Sequence, residues 1–238
     1  MNDNNINFEG FDPEVIKFLT RLKQNNRREW FNERKEFYEK EIKLKAQALI
    51  AELQYIFANE GLNYMADIKK SLFRIYRDVR FSKNKEPYKT HIGLFFPYVA
   101  DGTWRKPIEA TGIYLHIEPE LSFIAGGLHM PQSQQLKNLR VKIANDWEDY
   151  YDIIKNKKFT KEFPDWYSGE SLKRVPAGFP KDHPAAEILK QKSFTASCNI
   201  SNDIIYSRKL IDELIKKAKI LAPFLEFLNE GTSGNLGL

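Results

Sequence analysis

The densest group of chemically useful side chains lies in residues 77–91, which read RDVRFSKNKEPYKTH. The candidate ligand-binding residues there are Arg77, Arg80, Lys83, Lys85, Tyr88 and Lys89. Arginine offers planar, bidentate donors that match a phosphate or a carboxylate, lysine supplies a point charge, and tyrosine donates a hydrogen bond or stacks. The combination predicts a site for an anionic ligand. The alternative is a solvated hairpin, because lysines at a hairpin tip also protect strand edges.

The positive charge of the chain is concentrated around this stretch. Residues 67–91 contain eight Lys or Arg and three acids, and their surplus of five equals the net charge of the whole chain, +5. The remainder is therefore balanced. No P-loop or glycine-rich dinucleotide fingerprint accompanies the cations. The pattern favours either a small anionic ligand or the backbone of a nucleic acid.

Two histidines and a carboxylate are the candidates for proton transfer: His91, His116 and Glu118. His116 and Glu118 lie two residues apart in YLHIEP, so on a strand they point to the same face, where the carboxylate can orient the imidazole. The same pair could supply two metal ligands, but a metal site needs at least one more, so no metal site is assigned. The alternative is a hydrogen-bonded histidine with a structural role only.

Arg77 occupies an unusual place in the strand-like alternation of residues 73–81. It falls on the same side as Phe73, Ile75, Val79 and Phe81. An arginine in an apolar stripe is costly unless a carboxylate pairs with it or it lines a cavity and holds an anion. On the opposite side Arg74 and Asp78 are four residues apart, which is two steps along one face of a strand, and this spacing predicts an ion pair between them.

The hydrophobic pattern predicts helices at both ends of the chain and strands in the middle. Asp12 and Pro13 favour the start of a first helix, and a long helix follows from Arg28 to Asn59 with Gly61 as its C-terminal cap. The later elements are strands over 73–81, 88–99, 108–118, 122–128 and 193–200, helices over 134–145, 147–155, 184–190 and 202–221, an irregular stretch over 156–182 with a short strand at 171–175, and a last helix from Pro223.

This order predicts an α+β fold. We expect one domain over residues 1–238, with a central, mostly antiparallel sheet of about four to six strands flanked by N-terminal and C-terminal helices. Residues 1–8 and 232–238 are expected to be frayed.

The composition predicts a cytoplasmic protein. The single cysteine, Cys198, excludes an intramolecular disulfide, and its surroundings favour a small buried side chain. The start, MNDNNINFEGF, lacks the basic residues and the apolar run of a signal peptide, and no apolar run approaches the ~18 residues of a membrane span. We therefore expect no association with a membrane.

Several segments together resemble one family. They are FEGF at 8–11, NNRREWF at 25–31, LFRIYRDVRFSKNKEPYKTHIGLFF at 72–96, YLHIEP at 114–119, GGLHMP at 126–131, LKRVPAGFPKDHPAAEILKQKSF at 172–194 and LAPFLEFLN at 221–229. The chain resembles the bacterial and fungal domain-of-unknown-function family numbered 2461, which often has Asp where this chain has Asn84. The resemblance implies one intact domain and marks residues 77–91 as the family signature. It implies no activity, so neither a cofactor nor a catalytic residue follows from it.

The sequence thus leads to one functional prediction with two alternatives. We expect the basic hairpin 77–91 to bind a small molecule that carries a phosphate or a carboxylate, and the sequence leaves open whether that ligand is also turned over. A nucleic-acid-binding module that uses the same hairpin is the first alternative. A scaffold for a protein partner is the second, and no partner is assigned.

Overall fold

The computed structural model describes residues 7–99, 102–107, 109–166 and 170–232. The N-terminal part is helical: α1 (Glu14–Gln24), α2 (Arg28–Asn32), α3 (Lys35–Phe37), a π-helical stretch (Tyr38–Leu44) and α4 (Lys45–Asn59). Asp12 caps α1, because its carboxylate accepts a hydrogen bond from the Glu14 N–H at 2.8 Å.

The prediction of one helix from Arg28 to Asn59 is wrong in detail. The chain leaves helical geometry between α2 and α3, and the Tyr38–Leu44 stretch is wider than an α-helix. Phe31 and Tyr38 are seven residues apart, and both are buried. The wider turns of the π-helical stretch keep Ile42 and Leu49 on the same buried face. Gly61, with φ of 64°, follows α4 as predicted.

The sheet is antiparallel throughout, and its strand order is β1-β2-β3-β5-β4. The strands are β1 (Ile92–Pro97), β2 (Gly112–Ile117), β3 (Phe123–Leu128), β4 (Asp165–Trp166) and β5 (Phe194–Asn199). Four of these five were predicted with longer bounds, and β4 was missed. The fold class is therefore α+β, as the sequence predicts.

The C-terminal half contributes six helices within the described residues: α5 (Ser133–Asn145), α6 (Trp147–Ile154), α7 (Lys157–Glu162), α8 (Ala186–Leu189), α9 (Asn202–Ile205) and α10 (Lys209–Thr232). The predicted break before Pro223 is wrong. α10 runs through this proline because Leu221 and Phe224 on either side of it are fully buried, and their burial outweighs one lost backbone hydrogen bond.

One face of the sheet packs on the helices, and the other is only partly covered. Alternate residues of each main strand, such as Leu94, Leu115 and Ile124, are fully buried. Gly126 lets α10 approach the sheet, since a Cβ there would lie 2.4 Å from the Leu221 side chain. On the other face Tyr114, His116, Phe123, Ala125, Thr195 and Ser197 are half-buried. This less covered face is the one that carries the predicted proton-transfer residues.

The prediction of a strand over residues 73–81 is wrong, although the isolated bridges in this region are antiparallel. Residues 71–91 form only isolated bridges, Leu72 with Leu94 and Tyr76 with Tyr88. The alternation in the sequence reflects alternate burial, which ends before Phe81, whose side chain is 95% exposed. We call residues 71–91 the signature segment.

The remaining sequence predictions concern the chain ends, residues 171–175, Cys198 and membrane spans. Phe8 is buried, so the expected fraying is wrong there, while residues 1–6 and 233–238 lie outside the described part, as does Ile108. Ser171 forms one isolated bridge with Gln191 in place of the short strand predicted at 171–175. Cys198 is buried, as predicted. No helix within the described residues is both long enough and apolar enough to cross a membrane.

Candidate functional site

The signature segment is held in place by a side chain that the sequence analysis did not single out. The Asn26 amide donates to the Tyr88 carbonyl at 2.9 Å and accepts from the Tyr88 N–H at 3.1 Å. An asparagine side chain thus satisfies both backbone groups of one residue, as a neighbouring strand would. Tyr88 itself is buried, and its ring stacks on Phe31 with centroids 4.1 Å apart. These contacts fix residues 87–89 against the N-terminal helices.

Arg77 is both paired and placed at a groove. Its Nη1 lies 3.3 Å from the Glu86 carboxylate, which also accepts from the Asn84 amide at 2.8 Å. Arg77 also lines a groove of about 360 Å³ together with Asp78, Tyr88, Lys89, Thr90 and His91. The two interpretations of Arg77 offered by the sequence are therefore not exclusive. We call this cavity the anion groove.

Lys89 brings a second cation to the anion groove. Its side chain is half-buried, and its ammonium lies 5.2 Å from the centre of the Phe73 ring. Burial, together with the charge of Arg74, lowers the pKa of Lys89. Among the described residues no carboxylate lies within 4 Å of this ammonium. A partly desolvated lysine without a counter-ion is suited to an anionic ligand.

Three of the predicted binding residues lie away from the groove. The Arg80 guanidinium makes a two-pronged contact with the Asp78 carboxylate, at 3.0 and 2.7 Å, and these hydrogen bonds lower the pKa of Asp78 to about 2. The predicted Arg74–Asp78 pair is thus replaced by Arg80–Asp78. Lys85 donates to the Val79 carbonyl at 2.9 Å, and Lys83 is exposed. These residues form the exposed tip of the signature segment.

The two candidate histidines lie against each other. Because Gly93 of β1 pairs with His116 of β2, the ring of His91 reaches His116, and their centroids are 4.4 Å apart with an interplanar angle of 30°. Phe123 of β3 stacks on the other side of His116 at 4.7 Å. The sequence treated His91 and His116 as alternatives, whereas the antiparallel register brings them into one stack of three rings.

His116 is hydrogen-bonded at both ring nitrogens. Its Nε2 lies 3.1 Å from the Glu118 carboxylate, and its Nδ1 lies 2.9 Å from the Tyr114 hydroxyl. A carboxylate only accepts, so Nε2 carries the proton, and in the neutral ring Nδ1 accepts from Tyr114. The expected His116–Glu118 contact is thus present. Tyr114 was missed, although its position two residues before His116 places it on the same strand face.

The environment keeps His91 uncharged near neutral pH. Burial, and then the neighbouring His116, lower the pKa of His91 to about 4, and the charges of Lys89 and Arg77 act in the same direction. Glu118 opposes them. Burial also raises the pKa of Tyr114 to about 12, so its hydroxyl keeps its proton. The site therefore offers a neutral imidazole beside two cations.

Tyr114 needs a small residue beside it. A Cβ added at Gly93 would lie 2.8 Å from the Tyr114 hydroxyl and 3.1 Å from the Phe73 ring. Gly93 therefore gives the phenol room to lie across β1 and reach His116. Within the part of the chain that the structure describes, no group of three or more His, Cys, Asp or Glu side chains could hold a metal ion.

The comparisons with known proteins give one result. A family model described as a conserved hypothetical protein, DUF2461, matches residues 14–227. The chain belongs to this family. The match includes residues 71–91, the Asn26 contact and the histidine stack, so the entire candidate site lies inside the family domain. Neither a curated protein nor a solved structure matches the chain.

Proposed function

We propose that the chain binds a small molecule bearing a phosphate or a carboxylate in the anion groove, with Arg77 and Lys89 holding the anionic group. The observation that carries this proposal is Lys89, a half-buried cation with no carboxylate within 4 Å among the described residues. Arg77 adds a guanidinium that its single contact with Glu86 holds at the groove wall. Thr90 lines the same groove and can add a hydroxyl donor.

The adjoining residues are suited to proton transfer on the bound ligand. His91 lines the groove and is neutral near pH 7, so its ring can accept a proton from a group of the ligand. His116 does not line this groove and is held by Tyr114 and Glu118. We assign His91 the role of general base and His116 the role of positioning His91 by stacking.

The test compares two lysines of the same segment. Lys89→Met removes the groove cation and keeps the length of the side chain, whereas Lys83→Met removes an exposed cation from the tip as a matched control. Inorganic phosphate, pyrophosphate and citrate are titrated into each protein by calorimetry. We expect Lys89→Met to weaken phosphate binding at least tenfold, since charge-assisted hydrogen bonds contribute about 1.5–3 kcal/mol.

Lys83→Met should leave binding within about twofold, because an exposed single charge contributes little at physiological salt. Equal losses in the two variants would show that binding follows overall charge and not the groove. The proposal would be refuted if the wild-type protein bound none of the three anions more tightly than the Lys89→Met variant does.

A nucleic-acid role remains the second candidate because of one observation at the tip. Phe81 is 95% exposed, and the Arg80 guanidinium lies 5.8 Å from its ring centre. An exposed aromatic ring among Arg80, Lys83 and Lys85 is a suitable surface for stacking an unpaired base. This candidate predicts affinity for single-stranded oligonucleotides that rises with length, falls steeply with salt and is lost in Phe81→Ala.

A further inference from the structure

Resting on the proposed function, we infer that the ligand is a phosphate ester of a planar aromatic group, whose ring occupies a second groove beside the anion groove. The second groove has a volume of about 310 Å³. Its lining residues are Arg28, Asn32, Tyr76, Arg77, Val79, Pro87 and Tyr88. Arg77 and Tyr88 line both grooves, so one small molecule can contact both.

The second groove differs in character from the anion groove. Its walls include the aliphatic side chains of Val79 and Pro87 and the ring of Tyr76, whereas the anion groove is lined mainly by charged and polar side chains. A pair of adjoining sites, one with partly apolar and aromatic walls and one cationic, matches a ligand with a ring next to an anionic group. Both parts of the ligand then lie on the signature segment.

Tyr76 is the residue that selects a planar ring. It is 49% exposed, yet its ring is held by Phe31 at 6.3 Å and by Tyr88 at 5.3 Å between centroids. The core does not require an exposed aromatic ring at this position, since Tyr88 already covers Phe31 at 4.1 Å. A fixed ring with one open side is a stacking surface.

Arg28 and Asn32 favour a ring that carries heteroatoms. Both residues are exposed, lie at the two ends of α2 and line the second groove. Among the described residues no carboxylate lies within 4 Å of the Arg28 guanidinium. A guanidinium can stack on a planar ring, and an amide can pair with a donor and an acceptor on the ring edge. The inference therefore extends to the heterocyclic base of a mononucleotide.

The experiment compares four phosphates that differ only in what is attached. They are inorganic phosphate, glycerol phosphate, phenyl phosphate and adenosine 5′-monophosphate, each titrated by calorimetry into the full chain. We expect phenyl phosphate and adenosine monophosphate to bind about tenfold more tightly than glycerol phosphate, because stacking adds to the same anion contact. Tyr76→Leu should remove this advantage and leave binding of inorganic phosphate unchanged.

Inorganic phosphate also reports whether the variant is folded, since the anion groove lies beside Tyr76. Tyr55→Leu is the matched control, because Tyr55 is 70% exposed on α4 and lines neither groove. Arg28→Met separates the two aromatic ligands: a loss for adenosine monophosphate alone supports a nucleotide base, and an equal loss for phenyl phosphate supports any aryl phosphate.

The two proposals fail in different ways. If phosphate binds in a manner that depends on Lys89 but the aromatic esters bind no better than glycerol phosphate, the inference is overturned and the anion groove stands. If no phosphate binds but citrate does, the inference is overturned and the proposed function stands for a carboxylate. If neither the phosphates nor citrate bind, both are overturned. Affinity that grows with the length of a single-stranded oligonucleotide and exceeds that for adenosine monophosphate would also overturn the inference, in favour of nucleic acid.

Discussion

At the scale of single residues, the stacking of His91 on His116 makes protonation of His91 unfavourable. With ring centroids 4.4 Å apart, two protonated imidazoles would repel strongly. Arg77 and Lys89 also act on His91 with positive charge, and among the described residues the carboxylate that opposes them is that of Glu118. Burial and then His116, with smaller contributions from these cations, lower the pKa of His91 to about 4. His91 therefore stays unprotonated throughout the physiological range.

The variant His91→Phe tests this arrangement because it keeps a ring over His116 and removes the titrating group. The unfolded chain takes up a proton at His91 near pH 6.5, whereas the folded chain takes it up only near pH 4. Wild-type stability should therefore fall as the pH drops from about 6.5 to about 4, by on the order of 1–2 kcal/mol after allowance for solvent screening.

We expect His91→Phe to lose less stability than wild type over that interval, as measured by urea unfolding at several pH values. His129→Phe, which replaces an exposed histidine, is the control and should leave the pH dependence close to that of wild type. Wild-type and His91→Phe curves that run parallel from pH 6.5 to pH 4 would contradict the assignment.

At the scale of elements, the signature segment shows how a strand-like sequence can lack a strand. Its pairing with β1 consists of a few bonds, such as the Phe73 N–H to the Gly93 carbonyl at 2.9 Å. Nearer the tip it pairs with itself, from the Arg77 N–H to the Pro87 carbonyl at 2.9 Å. The Asn26 amide provides the remaining support. The shape of the anion groove therefore depends on a contact between residues 62 apart in the chain.

Substitution Asn26→Ala should loosen this segment. It leaves the N–H and the C=O of Tyr88 without their partners, and each such loss at a buried site costs about 1–3 kcal/mol. We expect lower stability to urea, faster hydrogen exchange at residues 88–89 and weaker phosphate binding. The adjacent Asn25→Ala is a close control, because that side chain makes one exposed bond, to the Arg21 carbonyl at 3.0 Å. Equal exchange rates at residues 88–89 in the two variants would contradict the role of Asn26.

The sequence predicted the elements that have strong local signals. It did not predict contacts that depend on residues far apart in the chain. The Asp12 cap and the alternation in β2 are local, so α1 and the His116–Glu118 contact could be predicted. α7 was missed although Asn156 caps it, by accepting from the Lys158 N–H at 2.9 Å, and this signal was readable. The Asn26–Tyr88 contact and the stacking of His91 on His116 depend on tertiary register, which no local pattern specifies.

At the scale of the whole molecule, a buried ion cluster joins three elements on the helical side of the sheet. Lys217 of α10 is 4% exposed and lies 2.8 Å from the Glu162 carboxylate at the end of α7. Glu213 is 3.2 Å away, and Cys198 of β5 lies beside the same lysine. Hydrogen bonds from Lys216 and Lys217 lower the pKa of Glu162 to about 2. The cluster therefore fixes α7 to α10 most firmly when Glu162 is ionised.

The sign of the pH effect follows from this lowered pKa. The Glu162 carboxyl has a pKa near 4.5 in the unfolded chain, and above that pH the ionised carboxylate stabilises the fold fully. This contribution is lost as the pH falls toward 2. Glu162→Gln should cost about 2–3 kcal/mol at pH 7, because it leaves a buried ammonium with only part of its compensation. Thermal unfolding at pH 7 and at pH 3 measures both effects, and the difference between variant and wild type should shrink at pH 3.

Glu170→Gln is the control for this prediction, since the Glu170–Lys192 pair is mostly exposed and should contribute little. A cost in Glu162→Gln no larger than in Glu170→Gln would mean that the cluster does not stabilise α7 against α10.

The bonds between the signature segment and β1 have a consequence for the behaviour of the protein at high concentration. β1, with the apolar sequence IGLFFP, is an outermost strand of the sheet, and such an edge invites pairing with a second copy. Here the Gly93 carbonyl and the Phe95 N–H are already occupied, by Phe73 and Ser71. The segment that shapes the groove therefore also shields the chain from edge-to-edge aggregation. A family member in which it detaches would lose solubility along with the shape of the anion groove.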